Sequence, residues 1–159
     1  MIKTHGRAKR GKRVRASAPS VRGPNITMIA GIKLTGISAS MAIEGPLDGP
    51  VFYEFLSQIL IPSLSPGDIV ILDNLNVHKL YYAQELINKA GAKFLYLPPY
   101  SPDLSPIEKA WFVIKNHIRK IGARTISEVI DAFGDAISLI TPQKAIEFFS
   151  FSGLCTSFE

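Results

Sequence analysis

The feature that most constrains this chain is the run Ile69-Val70-Ile71-Leu72, entered through Ser65-Pro66-Gly67 and ended by Asp73. A short, unbroken apolar run between turn residues is the pattern of a strand covered on both faces, as in parallel and mixed sheets. From Val77 to Ala90, Leu80, Ala83, Leu86 and Ile87 recur at helical spacing; Gly91 is placed to stop that helix, and Lys93–Leu97 returns as a strand. Strand, helix and strand in this succession make a parallel crossover unit, right-handed in nearly all cases. The fold class is therefore α/β.

The flanking segments fit the same class. Asn25–Ile32 and Gly36–Ile43 are rich in Ile, Thr and Met around a turn at Lys33-Leu34-Thr35, which predicts a hairpin. Val51, Phe52, Phe55, Leu56, Ile59 and Leu60 lie on one helical face, predicting a helix over 48–60 that Pro62 ends. Segment 98–106 is too rich in proline for helix or central strand and reads as a rigid loop. Helices are expected over Pro106–Ile121, Ile126–Ile140 and Pro142–Phe149. The organisation is a basic arm at 1–24, one core at 25–150 and a tail at 151–159.

A chain of 159 residues can bury one core, and every apolar run is interrupted before it could cross a bilayer, so no membrane partner is expected. A single cysteine, Cys155, excludes an internal disulfide and a cysteine metal cluster. With no signal peptide at the N-terminus, a cytoplasmic location is expected. Charge is unevenly spread: residues 1–22 hold eight bases, Lys3, Arg7, Lys9, Arg10, Lys12, Arg13, Arg15 and Arg22, and no acid. The rest carries a net charge of −3. A basic arm on an acidic body fits a polyanion, because each phosphate neutralised releases condensed counterions.

Two carboxylates are placed for chemistry. Asp73 ends a strand, where ligand sites of open α/β sheets form, although an Asp there can also turn the chain or cap a helix. Glu108 stands three residues after Ser105 in Ser105-Pro106-Ile107-Glu108, the form of a capping box, yet the proline loop leads to it from the strand beside Asp73. Two carboxylates meeting there could hold Mg²⁺, which takes one or two protein carboxylates with water and phosphate oxygens around it.

Val70-Ile71-Leu72-Asp73-Asn74 with His78-Lys79, then Leu97-Pro98-Pro99-Tyr100-Ser101-Pro102-Asp103-Leu104-Ser105-Pro106-Ile107-Glu108 with Trp111 and Lys115, resemble the mariner-related insertion-sequence transposases of the DDE superfamily. Thirty-four residues, 74 to 107, separate Asp73 from Glu108, the spacing common in that branch. The resemblance extends from Gly6-Arg7-Ala8 to the C-terminal helices. It implies a ribonuclease-H-like mixed sheet flanked by helices, with Asp73 and Glu108 as second and third members of an Asp, Asp, Glu triad that binds Mg²⁺, or Mn²⁺ in its place. It further implies DNA strand cleavage and transfer at transposon ends and target, with a homodimer or an upstream transposase fragment as partner, in the nucleoid of a bacterial cytoplasm.

The family's first Asp lies on an opening strand upstream of the Gly-Arg-Ala segment, and no residue here matches it. The expectation is thus a core without its first strand, also lacking the end-binding helix-turn-helix region, as in a split or decayed gene. A non-catalytic DNA-binding or assembly fragment is the alternative. Arg7, Lys9, Arg10, Lys12, Arg13, Arg15, His78, Lys79 and Lys115 are the candidate DNA contacts. Trp111 is expected in the core, and Tyr100 is expected to pack within its loop and not to act as a nucleophile.

Overall fold

The computed structural model describes residues 7–13 and 23–154. The hairpin pairs β1 (Ile26–Lys33) with β2 (Gly36–Glu44) in antiparallel register from Ile26 opposite Glu44 to Lys33 opposite Gly36. Leu34 and Thr35 make the turn, and Gly36 takes the positive φ of 118° that lets the chain re-enter the sheet.

The helix α1 (Gly49–Glu54) is capped by Asp48, whose carboxylate accepts from Val51 N at 2.9 Å. It does not end before Pro62, as the sequence suggested, but continues through a π-helical stretch, Phe55–Leu60, and a last turn, Ile61–Ser63. The wider turn makes this possible: Ile61 N bonds back to Leu56 O, five residues away, so the hydrogen-bond register has already shifted where proline has no N–H to give.

Strand β3 (Ile69–Leu72) and strand β4 (Lys93–Tyr96) are parallel, paired Ile69 with Lys93 through Leu72 with Tyr96. The crossover helix α2 (Tyr81–Lys89) is shorter than expected. A 3-10 turn, Asn76–Lys79, precedes it, and Leu80 is extended at φ −66°, ψ 132°. Tyr96 Oη donates to the carbonyl of His78 at 2.7 Å, claiming an acceptor that a continuous helix would use.

Three helices close the chain: α3 (Pro106–Ile121), α4 (Ile126–Ile137) and α5 (Pro142–Phe151). Gly122 stops α3 in the left-handed region at φ 76°. Ile114, Ile118, Val129, Ala132, Phe133 and Ala136 form one buried cluster, against which Met28 and Trp111 pack. Phe52, Phe55, Leu56, Leu60, Ala39 and Ala83 form a second, between α1, the hairpin and α2. Among the described residues no helix is long and apolar enough to cross a membrane.

The four strands make two separate two-stranded sheets, β1–β2 and β3–β4. A cleft of about 430 Å³ lies between them, lined by Ala30–Leu34 of the hairpin and Ile69–Ile71 of β3. This corrects the reading of β3 as covered on both faces: Ile69 is 61% exposed and Val70, Ile71 and Leu72 are only partly buried. An apolar strand bordered by a cleft cannot be sealed from water by one neighbour alone.

Candidate active site

Asp73 follows β3 directly, and the end of that strand is pinned to β4. Leu97 N donates to Leu72 O at 2.9 Å, and the Asn74 side-chain amide donates to Leu97 O. The Asp73 carboxylate, half exposed, is held on one oxygen. Leu75 N donates to Oδ1 at 3.0 Å, and His78 Nδ1 lies 2.6 Å from the same atom. The ring nitrogen approaches off the line of a directed hydrogen bond, so the contact is a close electrostatic one, with Nδ1 lacking a hydrogen-bond partner. Oδ2 makes no bond to a described residue and can accept a cation.

His78, a candidate DNA contact in the sequence, is largely buried. Its side chain is 14% exposed and its ring sits 4.8 Å from that of Phe52, centroid to centroid, so α1 supports the imidazole that abuts Asp73. Only its place one turn beyond Asp73 hinted at the pairing. Lys79 beside it is exposed.

Glu108 lies exposed in the first turn of α3, where the helix dipole favours a carboxylate. The capping box read from Ser105-Pro106-Ile107-Glu108 does not form: the Ser105 side chain caps nothing, and Glu108 N bonds instead to Ser105 O at 3.2 Å. The Glu108 carboxylate is thereby left to other partners. It borders a groove of about 440 Å³ with Pro102, Asp103, Ser105, Lys109, Phe112 and Phe151; Asp73 does not line this groove. Asp103 stands in a 3-10 turn, Pro102–Leu104, and is a second acid there. Lys109 Nζ rests 3.7 Å above the Phe151 ring, a contact with no signal in the sequence. Among the described residues there is no cluster of three metal-ligating side chains.

Trp111 packs in the core as expected, stacked on Phe133 at 6.1 Å. Lys115 lies over its indole at 5.9 Å from the centroid. Tyr100 contradicts the expectation of loop packing: it is fully exposed, with φ of 59°. The flanking prolines fix the loop so tightly that the chain turns through this residue and points it outward. Arg7, Lys9, Arg10, Lys12 and Arg13 are exposed around a turn in which Lys12 N bonds Lys9 O, whereas Arg15 lies outside the described residues.

Small parallel and antiparallel sheets packed with helices, and an acid at the end of a parallel strand, fit a ribonuclease-H-like fold. The chain belongs to the DDE superfamily endonuclease family, whose sequence pattern matches residues 1–130. The fold is similar to that in the crystal structure of the Mos1 strand transfer complex, with a TM-score of 0.71 at 14% identity over 98% of this chain and 50% of that one. It is also similar to the Mos1 mariner paired end complex with Mn, with a TM-score of 0.66 at 14% identity over 94% of this chain and 46% of that one. The chain thus spans about half the length of the Mos1 chains it matches. Among curated proteins, none matches its sequence.

Proposed function

We propose that this chain is the catalytic core of a DNA transposase, in which Asp73 and Glu108 each give carboxylate oxygen to divalent metal, Mg²⁺ or Mn²⁺, during strand cleavage and strand transfer. The observation that carries the reading is the state of Asp73: at a strand end, with Oδ1 fixed by Leu75 N and His78 and Oδ2 free. An oriented carboxylate with one open oxygen is suited to a hard cation, and Glu108, freed from capping, is of the same donor type.

Bound metal would stabilise charge on the phosphate and on the leaving oxygen. Around it, His78 and the Leu75 amide keep Asp73 oriented, and Asn74 locks the strand end to β4. Residues 1–24 form a DNA-binding arm whose bases, Arg15 included, neutralise backbone phosphate, while Lys79 and Lys115 add positive charge on the body. The partners are element ends and target DNA, a second copy or a further transposase segment, and the setting is the cytoplasm at the nucleoid. The Mos1 complexes, by their names a strand transfer and a paired end assembly, support DNA as partner.

The described residues offer two such carboxylates and no third-ligand cluster, so this chain alone should cut DNA poorly, since electrostatic stabilisation dominates phosphoryl transfer. The test compares Mn²⁺-dependent nicking of element-end DNA by this chain, by a version extended with an upstream strand ending in Asp, and by the extended version carrying Asp73→Ala. Water-proton relaxation titrations of Mn²⁺ run alongside. Only the extended form should cut, and Asp73→Ala and Glu108→Ala should each weaken Mn²⁺ binding about 10-fold or more. Robust cutting by the present chain, or Mn²⁺ binding untouched by both substitutions, would refute the assignment. An extended, folded protein that binds DNA without cutting it would favour the non-catalytic fragment.

A further inference from the structure

We propose that the exposed face of α3, together with Phe151 of α5, is a binding surface for unpaired, single-stranded DNA. Its bases stack on the Phe112 and Phe151 rings, and its phosphates lie along the lysines and arginine of the helix. This rests on DNA as the substrate of the site, and not on which residues hold the metal.

Two phenyl rings stand in water beside Glu108. Phe112 is 68% exposed and Phe151 67% exposed, and both line the groove of about 440 Å³ that Glu108 borders. The packing of α3 does not call for the first of them: Ala110, Ile114 and Ile118 bury the inner side of the helix, and Phe112 lies outside it. Large apolar groups left together on a surface mark an interaction site.

The same face is basic. Residues 109–127 hold five bases, Lys109, Lys115, Arg119, Lys120 and Arg124, and no acid. Glu108, Phe112, Lys115 and Arg119 follow one another at helical spacing, and Lys109, Asn116 and Lys120 form the line beside them. From Lys109 to Lys120 the helix runs about 16 Å, room for roughly five stacked nucleotides. The ion pairs among the described residues join Lys33 with Asp68, His78 with Asp73 and Lys89 with Glu85, so the cations of α3 are left uncommitted. Arg119 and Lys120 suit the negative end of the helix dipole, but Lys109 stands in the first turn, where the dipole opposes a cation. The Phe151 ring holds it there, 3.7 Å from Nζ to the centroid, and a phosphate beside it would supply the missing anion.

These groups select the occupant. The bases answer a phosphate backbone. A duplex hides the faces of its bases, so only an unpaired base can lay its π face on a phenyl ring. Asp103 and Glu108 repel phosphate from the groove, so a base enters it and the backbone stays outside, with exocyclic amino groups as donors to the carboxylates. A protein partner fits less well, because the centres of protein interfaces are depleted in charge, whereas Lys109 and Lys115 stand on either side of Phe112.

The experiment uses the full chain and follows the fluorescence anisotropy of a labelled DNA strand of about 12 nucleotides, and of its duplex. Phe112→Ala and Phe151→Ala should each weaken single-strand binding about 5-fold or more and leave duplex affinity within about 2-fold. Phe112→Trp, which keeps a stacking face, should retain single-strand affinity. Replacing Lys115, Arg119 and Lys120 together by glutamine should lower the salt slope of single-strand binding by about 2, at roughly 0.7 per phosphate. Equal losses for strand and duplex, no loss from either alanine variant, or tighter binding of an RNA strand of the same sequence would overturn the proposal. So would a dimer of the free protein that Phe112→Ala dissociates, since the rings would then belong to a second copy. The metal assignment is tested separately by the nicking and Mn²⁺ measurements and stands or falls on those alone.

Discussion

Replacing Phe52 by alanine should unfold the protein far more readily and should do so as one unit. Phe52 is 1% exposed, stacks with Phe55 at 6.4 Å and carries the His78 ring at 4.8 Å, so its removal leaves a cavity that neither α1 nor the 3-10 turn can fill without moving. Buried Phe→Ala substitutions cost about 3–5 kcal/mol, a large share of the roughly 5–15 kcal/mol that holds a domain together. With a urea dependence of about 2 kcal/mol per molar, the midpoint should fall by roughly 1.5–2.5 M. The only tryptophan, Trp111, reports from the other hydrophobic cluster, stacked on Phe133. If the two clusters unfold together, Trp111 fluorescence and far-ultraviolet dichroism should shift by the same amount. A loss below about 1 kcal/mol would refute the cavity argument. A shifted dichroism transition with an unmoved Trp111 signal would show instead that the clusters melt separately.

Deleting residues 1–22, and with them eight bases, should flatten the salt dependence of DNA binding between about 50 and 200 mM; the same affinity and slope after deletion would make the arm a solvated tail. The Asp68 carboxyl is held below its ordinary value of 3.8, first by its hydrogen bond to Lys33 and then by Ser65 N. A depressed folded pKa gives stability that is fully present above the unfolded value and lost as pH falls through the folded one, so the loss lies below 3.8. Asp68→Asn should therefore destabilise at about pH 6 and cost progressively less toward about pH 3; a penalty independent of pH in thermal melts would contradict the pairing.

Much of the fold could be read directly because its elements are local and strongly patterned. The hairpin, the parallel crossover and the bounds of α3 follow from alternation, one apolar run and a proline at a helix start. What escaped the sequence depends on contacts between distant residues. Ser105-Pro106-Ile107-Glu108 and Thr125-Ile126-Ser127-Glu128 look alike as capping boxes, but only the second forms: Glu128 accepts from Thr125 N at 3.1 Å, and Thr125 Oγ1 accepts from Glu128 N. The break at Leu80 is set by Tyr96, sixteen residues on, and no periodicity can register it. The placement of Asp73 at a strand end was legible from the apolar run before it. Its clasp by His78 was not, because that needs the Phe52 ring from α1 behind the imidazole.

The hairpin turn carries a consequence for the order of assembly. Leu34 and Thr35 are the entire connection between β1 and β2, so that pair closes almost no loop and can zip within microseconds. β3 and β4 must close the whole of α2 between them, and parallel pairing with distant partners is slower. The hairpin is therefore expected to form early, with Met28 and Ala42 offering one face to Trp111 and the helices that come later in the chain. Gly36 fixes where they land: a Cβ there would stand 2.6 Å from the carbonyl oxygen of Ile140, so the segment between α4 and α5 reaches the hairpin at a residue without a side chain.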